Sequence, residues 1–292
     1  MLLLLLTGSL IGLGVPLAKL ADAAGLPAFL WLLVMSGGTA LTLFAVMRFK
    51  HERLPVGARH LRYYVVAGVI SYLLPNLLVF VMVPRLGVGL TSILFTFSPI
   101  FTLLMSLAFK VSKPAGLGIA GIVLGLVGAL MIVLSKGRVQ APAEPGLLLV
   151  GFLIPLSLAA GNLYRTARWP PGSSNLALAV GTNLAAGLGA LALAGVGQTG
   201  VWSAGLAAAS ATPWLVPAQI ALSALMFSVF FRLQKIGGPV YLSQIGYVVA
   251  ATGLAVGSLV MGERYALFTW LGAAVVAIAV ILTTISQIKS SS

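Results

Sequence analysis

The sequence contains no cysteine, which excludes disulfides, thiol nucleophiles and cysteine-based metal sites. Acid is almost as scarce: Asp22, Glu52, Glu144 and Glu263 are the only carboxylates in 292 residues, and the two histidines, His51 and His60, fall in one short stretch. From so few groups no HExxH zinc site, no pair of intramembrane aspartates and no buried Ser-His set can be assembled. An integral-membrane enzyme is therefore the weaker functional class, and neither a metal nor a cofactor is expected. Charge of either sign is thin, at 7% of residues. A soluble protein carries about 25%. So few charges cannot wet the surface of a chain this long, and most of that surface must face lipid.

What the sequence does hold is apolar: 60% of residues are hydrophobic, with 34 Gly and 15 Pro scattered among them. Transmembrane helices tolerate both, because neighbouring helices satisfy the freed backbone groups. A span needs roughly 20 mostly apolar residues. Ten such runs are present, near 2–20, 27–47, 63–83, 87–109, 114–135, 146–166, 174–195, 212–232, 238–260 and 265–287. Most gaps are short; 48–62 and 196–211 are the clearest exceptions. The runs are continuously apolar rather than alternating, which argues against a β-barrel. The opening MLLLLLTGSLIGLGVP lacks a basic leader and a small-residue cleavage site and reads as the first half of a span.

A net charge of +13 would suggest a nucleic-acid partner in a soluble protein. Here the basic residues sit between apolar runs, so they orient helices and meet lipid head groups. With the N-terminus in the cytoplasm, twelve Lys and Arg fall inside. Lys19, Arg85, Lys136, Arg138 and Arg264 fall outside. The positive-inside rule then places both termini in the cytoplasm, here that of a bacterial-type inner membrane. Trp31, Trp169, Trp202, Trp214 and Trp270 read as interfacial anchors.

The second half repeats the first. Sliding by 150 residues sets Arg85-Leu86-Gly87 on Lys235-Ile236-Gly237, and Thr102 on Thr252, without a gap. The unit is five helices, 1–140 and 145–289, and an odd number places the second copy upside down. Such inverted repeats are a recurring plan of secondary transporters, with the solute site near the midplane.

Ten spans in two five-helix halves, with Val260-Met261-Gly262-Glu263-Arg264 before the last span, resemble the EamA-type members of the drug/metabolite transporter superfamily. Lys113-Pro114 departs from that pattern, standing where a Glu would be usual, which suits a local structural role for Glu263. Across the third and fourth spans the chain looks most like the YddG-type amino-acid exporters. The resemblance implies a ten-helix all-α integral membrane protein that exports small amphipathic solutes, amino acids including aromatic ones, by alternating access. Drugs, other metabolites or lipid head groups are the alternative cargo.

Polar groups inside hydrocarbon are costly and usually face the bundle interior or water. Tyr72, Asn76 and Phe80 share one helix face, where a ring can stack on a solute and an amide can orient it; an interhelical hydrogen bond by Asn76 is the alternative. Ser92 and Thr96 share a face of the fourth span, and Pro99 should kink it, as a hinge or as a static bend. In the second half Leu222 and Met226 are the repeat partners of Tyr72 and Asn76, with Ser223 and Phe227 adjacent; Tyr241 and Gln244, aligned with Thr91 and Leu94, can face one side of the ninth span, and Asn162 lies in the sixth. Arg165 either attracts a carboxylate or snorkels as a topology anchor. Gly12, Gly14 and Pro16 could break the first span and expose backbone groups to an ionic solute. Gly121-x3-Gly125 and Gly253-x3-Gly257 allow close helix approach, within a monomer or in a weak homodimer. No carboxylate lies mid-span, so no buried-carboxylate proton relay is expected. No charge ring or carbonyl filter marks a channel.

Overall fold

The computed structural model describes residues 1–111, 116–134, 145–195 and 200–291. Lys113-Pro114, Lys136, Arg138, Glu144 and the expected boundary between the halves lie outside the described residues. The first half holds α1 (Leu2–Ala23), α2 (Ala28–Phe49), α3 (Ala58–Gly68), a π-helical turn (Val69–Leu73), α4 (Leu74–Leu94), a 3-10 turn (Phe95–Phe97), α5 (Ser98–Ala108) and α6 (Gly116–Leu134). The second holds α7 (Pro145–Gly151), α8 (Leu153–Ala167), α9 (Asn175–Gly195), α10 (Val201–Ala211), α11 (Leu215–Ser243), α12 (Ile245–Leu259) and α13 (Leu267–Ser291). An all-helical chain is what lipid requires, since every backbone N–H and C=O there must find a partner within its own segment.

Among the described residues, five helical runs are long and apolar enough to cross a membrane: Leu2–Ala23, Ala28–Phe49, Ala58–Ala108, Asn175–Gly195 and Leu215–Ser243. The third is 51 residues long. At 1.5 Å per residue it would overshoot a hydrocarbon core of about 30 Å more than twofold. Gly87 divides it, with φ 80° and ψ 170° inside α4. Gly238 divides α11 in the same way, with φ 67° and ψ −175°. A residue with a Cβ is strongly disfavoured in this region of backbone space.

The two kink glycines are 151 positions apart. So are the starts of α1 and α8 (Leu2 and Leu153), the ends of α5 and α12 (Ala108 and Leu259), and the starts of α6 and α13 (Gly116 and Leu267). The register of 150 expected from the sequence sets Gly87 on Gly237. Gly237 and Gly238 are adjacent, and the residue that takes the positive φ is the second of them.

Three expectations are corrected. The stretch 196–211, expected as a connection, contains α10, an 11-residue helix too short to cross. Helix α1 runs unbroken through Gly12, Gly14 and Pro16; Gly8 and Gly12 instead let α12 approach, against Val248 and Thr252. Trp31, expected at an interface, is 1% exposed.

Packing follows membrane rules. Leu41, Leu206, Leu259 and Leu267 are each more than 70% exposed, whereas Thr39, Thr91, Ser92 and Thr182 are fully buried. Apolar burial does not distinguish a helix from lipid, so close approach of small residues sets the contacts. Helix α1 packs on α11 and α12, as α8 packs on α4, α5 and the π-turn; α2 packs on α9 and α11, as α9 packs on α2 and α3; α6 packs on α13. Exchanging the halves leaves this set of contacts unchanged. The buried hydroxyls of Thr7, Thr91 and Thr182 bond back to Leu3, Gly87 and Leu178 on their own helices, which removes the cost of burying them.

Candidate functional site

The π-turn Val69–Leu73 inserts an extra residue into the third span and frees backbone groups locally. The freed Ile70 carbonyl accepts a hydrogen bond from Ser157 Oγ of α8 at 2.5 Å, which ties the two halves together. The turn carries Ser71 and Tyr72 into a cavity of about 60 Å³. Asn76, Phe95, Asn162, Arg165, Met226, Phe227 and Phe230 also line it. A second cavity, of about 40 Å³, is lined by Gly14, Met35, Phe80, Gln219 and Ser223 among others. Both cavities touch Ile11, Asn76, Phe95 and Met226. Those four side chains form the partition between two chambers, and both halves of the chain contribute to it.

The larger chamber has a cation at its wall. Arg165 is 1% exposed and therefore is not the interfacial anchor the sequence allowed. Its Nε donates to Gln234 Oε1 at 2.7 Å and its Nη2 to Asn162 Oδ1 at 2.6 Å. Its Nη1 makes no hydrogen bond. The guanidinium lies 5.0 Å from the Phe230 ring centroid and 5.5 Å from that of Tyr72. Ring quadrupoles contribute about 0.5–2 kcal/mol each at such distances, but they leave the charge in place. Tyr72 in turn meets Phe227 edge to face, with centroids 4.8 Å apart.

The remaining expected site residues divide by position. Asn76 donates to the Tyr72 carbonyl at 2.8 Å, on its own helix rather than across helices. Ser223 accepts from Gln219 at 2.8 Å in the smaller chamber. Ser92, Thr96, Tyr241 and Gln244 line neither chamber. Ser92 packs against Gly253 where α4 and α12 meet, and Thr96 bonds back to Ile93 at 2.6 Å. Gln244 turns away to accept from Thr283 of α13, and Tyr241 is buried in the aromatic core. Pro99 stands in the first turn of α5, just after the 3-10 turn that breaks the fourth span, while Pro16 causes no break in α1. The sequence reading missed Phe230, Phe95 and Gln219 as lining residues and Gln234 as a partner of Arg165. Gln234 next to Lys235 reads as a loop residue, and the only signal was its spacing of eleven from Ser223, about three helical turns.

A second polar junction lies at the α4 kink. Glu263, in the α12–α13 connection, accepts from the backbone N–H of Val88 at 2.9 Å and of Gly89 at 3.1 Å, from Lys19 Nζ at 2.7 Å, and from the Tyr265 hydroxyl. The carboxylate caps the helix restarting after Gly87, where unsatisfied N–H groups and the helix dipole both favour an anion. Burial raises the Glu263 carboxyl. Lys19, Tyr265 and the two N–H groups outweigh burial and hold it below its ordinary 4.5. Burial, and then Glu263, push the Tyr265 hydroxyl well above its ordinary 10.0.

The chain was compared with known proteins. No curated protein sequence matches it. Among solved structures, one crystal structure superposes with a TM-score of 0.63 at 15% sequence identity, covering 95% of this chain and 97% of the other; at that identity the likeness establishes the fold alone. Residues 1–134, most of the first half, match the EamA-like transporter family. Together with the long apolar helices, that match makes the chain a multi-pass membrane protein whose first half is similar to transporters of small solutes.

Proposed function

We propose that the chain carries small amphipathic solutes across a bacterial inner membrane by alternating access, exporting amino acids with aromatic ones among them. The observation that carries this reading is the pair of chambers abutting at Ile11, Asn76, Phe95 and Met226 and walled by both halves. Closing one chamber while opening the other moves a solute past that partition. The aromatic wall of Tyr72, Phe227 and Phe230 suits an apolar or aromatic body.

Two inverted five-helix repeats, 1–140 and 145–289, are part of the same proposal. The recurrent spacing of 151 and the contact pattern that survives exchange of the halves support them. The positive-inside bias supports cytoplasmic termini. No Asp, Glu or His stands among the residues lining either chamber, which favours facilitated exchange over a buried-carboxylate proton cycle.

Counterflow of labelled phenylalanine in liposomes tests the reading. Exchange without a pH gradient is the expected result. Transport that strictly requires the gradient, with no exchange, would overturn the mechanism. Tyr72→Ala and Asn76→Ala should cut counterflow by at least about tenfold, the loss of one good contact, while membrane levels and melting temperature hold. Full transport by both variants would remove those residues from the path.

A further inference from the structure

We propose that the larger chamber recognises its solute through an anionic group set on Arg165 and offers no counter-charge to an ammonium. The solute class is then small organic monoanions with an apolar or aromatic body, bound through a carboxylate. The inference rests on the carrier reading and narrows it.

A guanidinium offers five N–H donors and no acceptor. The two satisfied donor groups of Arg165 are held by neutral acceptors, Gln234 and Asn162, so its charge is positioned but not paired. The free Nη1 and the equally unpartnered Ser71 Oγ flank the same backbone point: a Cβ on Gly161 would collide with Ser71 Oγ and crowd Nη1 at 3.2 Å. The two atoms are closely packed there, and both residues line the larger chamber; once the chamber opens beside them, a carboxylate can set one oxygen on Nη1 and one on the Ser71 hydroxyl. A buried charge lacking a counter-ion is unfavourable, and an entering anion supplies what the protein withholds. The feature is also one-sided. At the spacing of 151 that relates the halves, the position matching Arg165 is Gly14, which lines the smaller chamber without any charge. Two neighbouring chambers of related construction thus differ in whether they carry a cation.

Binding of four probes to the purified full-length protein, followed by calorimetry, tests this. They are 3-phenylpropionate, phenylalanine, phenylalanine amide and phenethylamine. 3-Phenylpropionate should bind at least as tightly as phenylalanine, and the amide and amine at least about tenfold more weakly. Arg165→Gln should weaken 3-phenylpropionate about ten- to a hundredfold, the range for a lost charge-assisted hydrogen bond, and Arg165→Lys should recover part of it. The comparison within wild type stands even if the variants fail to fold. Phenethylamine binding as tightly as 3-phenylpropionate would overturn the inference, as would unchanged affinity in folded Arg165→Gln. Displacement of 3-phenylpropionate by dihexanoylphosphatidylglycerol at lower concentration would reassign the site to lipid phosphate and also overturn it. Phenylalanine counterflow by wild type alongside any of these results leaves the carrier reading standing and removes only the anion site. Arg165-dependent carboxylate binding with no counterflow of either phenylalanine or 3-phenylpropionate does the reverse.

Discussion

The two charges that matter in this molecule are handled in opposite ways. Glu263 is met by four donors, one of them charged, and Arg165 only by neutral acceptors. The folded carboxyl of Glu263 is depressed, so its stabilising contribution is full above the unfolded value of 4.5 and is lost as pH falls through the lower folded value. The melting temperature should therefore drop below pH 4.5. Glu263→Gln should destabilise the protein at pH 7 by about 1 kcal/mol, because Lys19 and Glu263 are partly solvated, and so lower its melting temperature and flatten the acid limb. An unchanged acid limb in the variant, measured by melting between pH 7 and 3, would assign the acid sensitivity elsewhere. Gln234 tests the other charge. Gln234→Glu would give Arg165 an internal counter-anion at the acceptor position to which its Nε already donates. The affinity for 3-phenylpropionate should fall at least about tenfold while the melting temperature is kept or raised. A purely structural role for Gln234 would not separate those two readouts.

Among the helical elements, the breaks specify more than the spans do. Gly87 and Gly238 hold nearly the same backbone conformation, and an alanine in it costs of order 1–3 kcal/mol. Their surroundings differ. A Cβ at Gly87 would lie 2.9 Å from Glu263 Oε1, whereas one at Gly238 meets nothing within 4 Å. Gly87→Ala should therefore lower the melting temperature more than Gly238→Ala, and equal losses would show that the Glu263 cap is not rigid. The same contrast separates what the sequence made legible from what it did not. Apolar runs long enough to span were readable because lipid imposes length and composition directly. The π-turn at Val69–Leu73 was not, since its displaced Ile70 carbonyl finds its donor in Ser157 of a distant helix. Gln244 and Arg165 show the same limit from two sides. Periodicity places a side chain on a face, but only packing decides that Gln244 faces Thr283 and that Arg165 is covered by Phe230. Gly237 and Gly238 were equivalent in sequence, and only the fold shows that Gly238 takes the positive φ.

For the whole molecule, the alternating access proposed above requires the elements joined at Glu263 to separate and rejoin. Helix α1 through Lys19, the restarted α4 through Val88 and Gly89, and the α12–α13 connection all converge there. In the proposed orientation, with the N-terminus in the cytoplasm, this junction lies on the outer face, and on that reading its closure shuts the path on that side. The chain has no cysteine, so an introduced pair is chemically unique. Lys19→Cys combined with Glu263→Cys, bridged by a short bifunctional thiol reagent, should hold the outer side closed. Counterflow should then fall to the protein-free background and return on reduction of a cleavable bridge, while 3-phenylpropionate still binds if the chamber beside Arg165 opens to the other face. Each single-cysteine protein treated with the same reagent controls for loss of the ion pair itself. Undiminished counterflow in the bridged protein would mean that the junction is a fixed buttress and that the solute passes without parting these three elements.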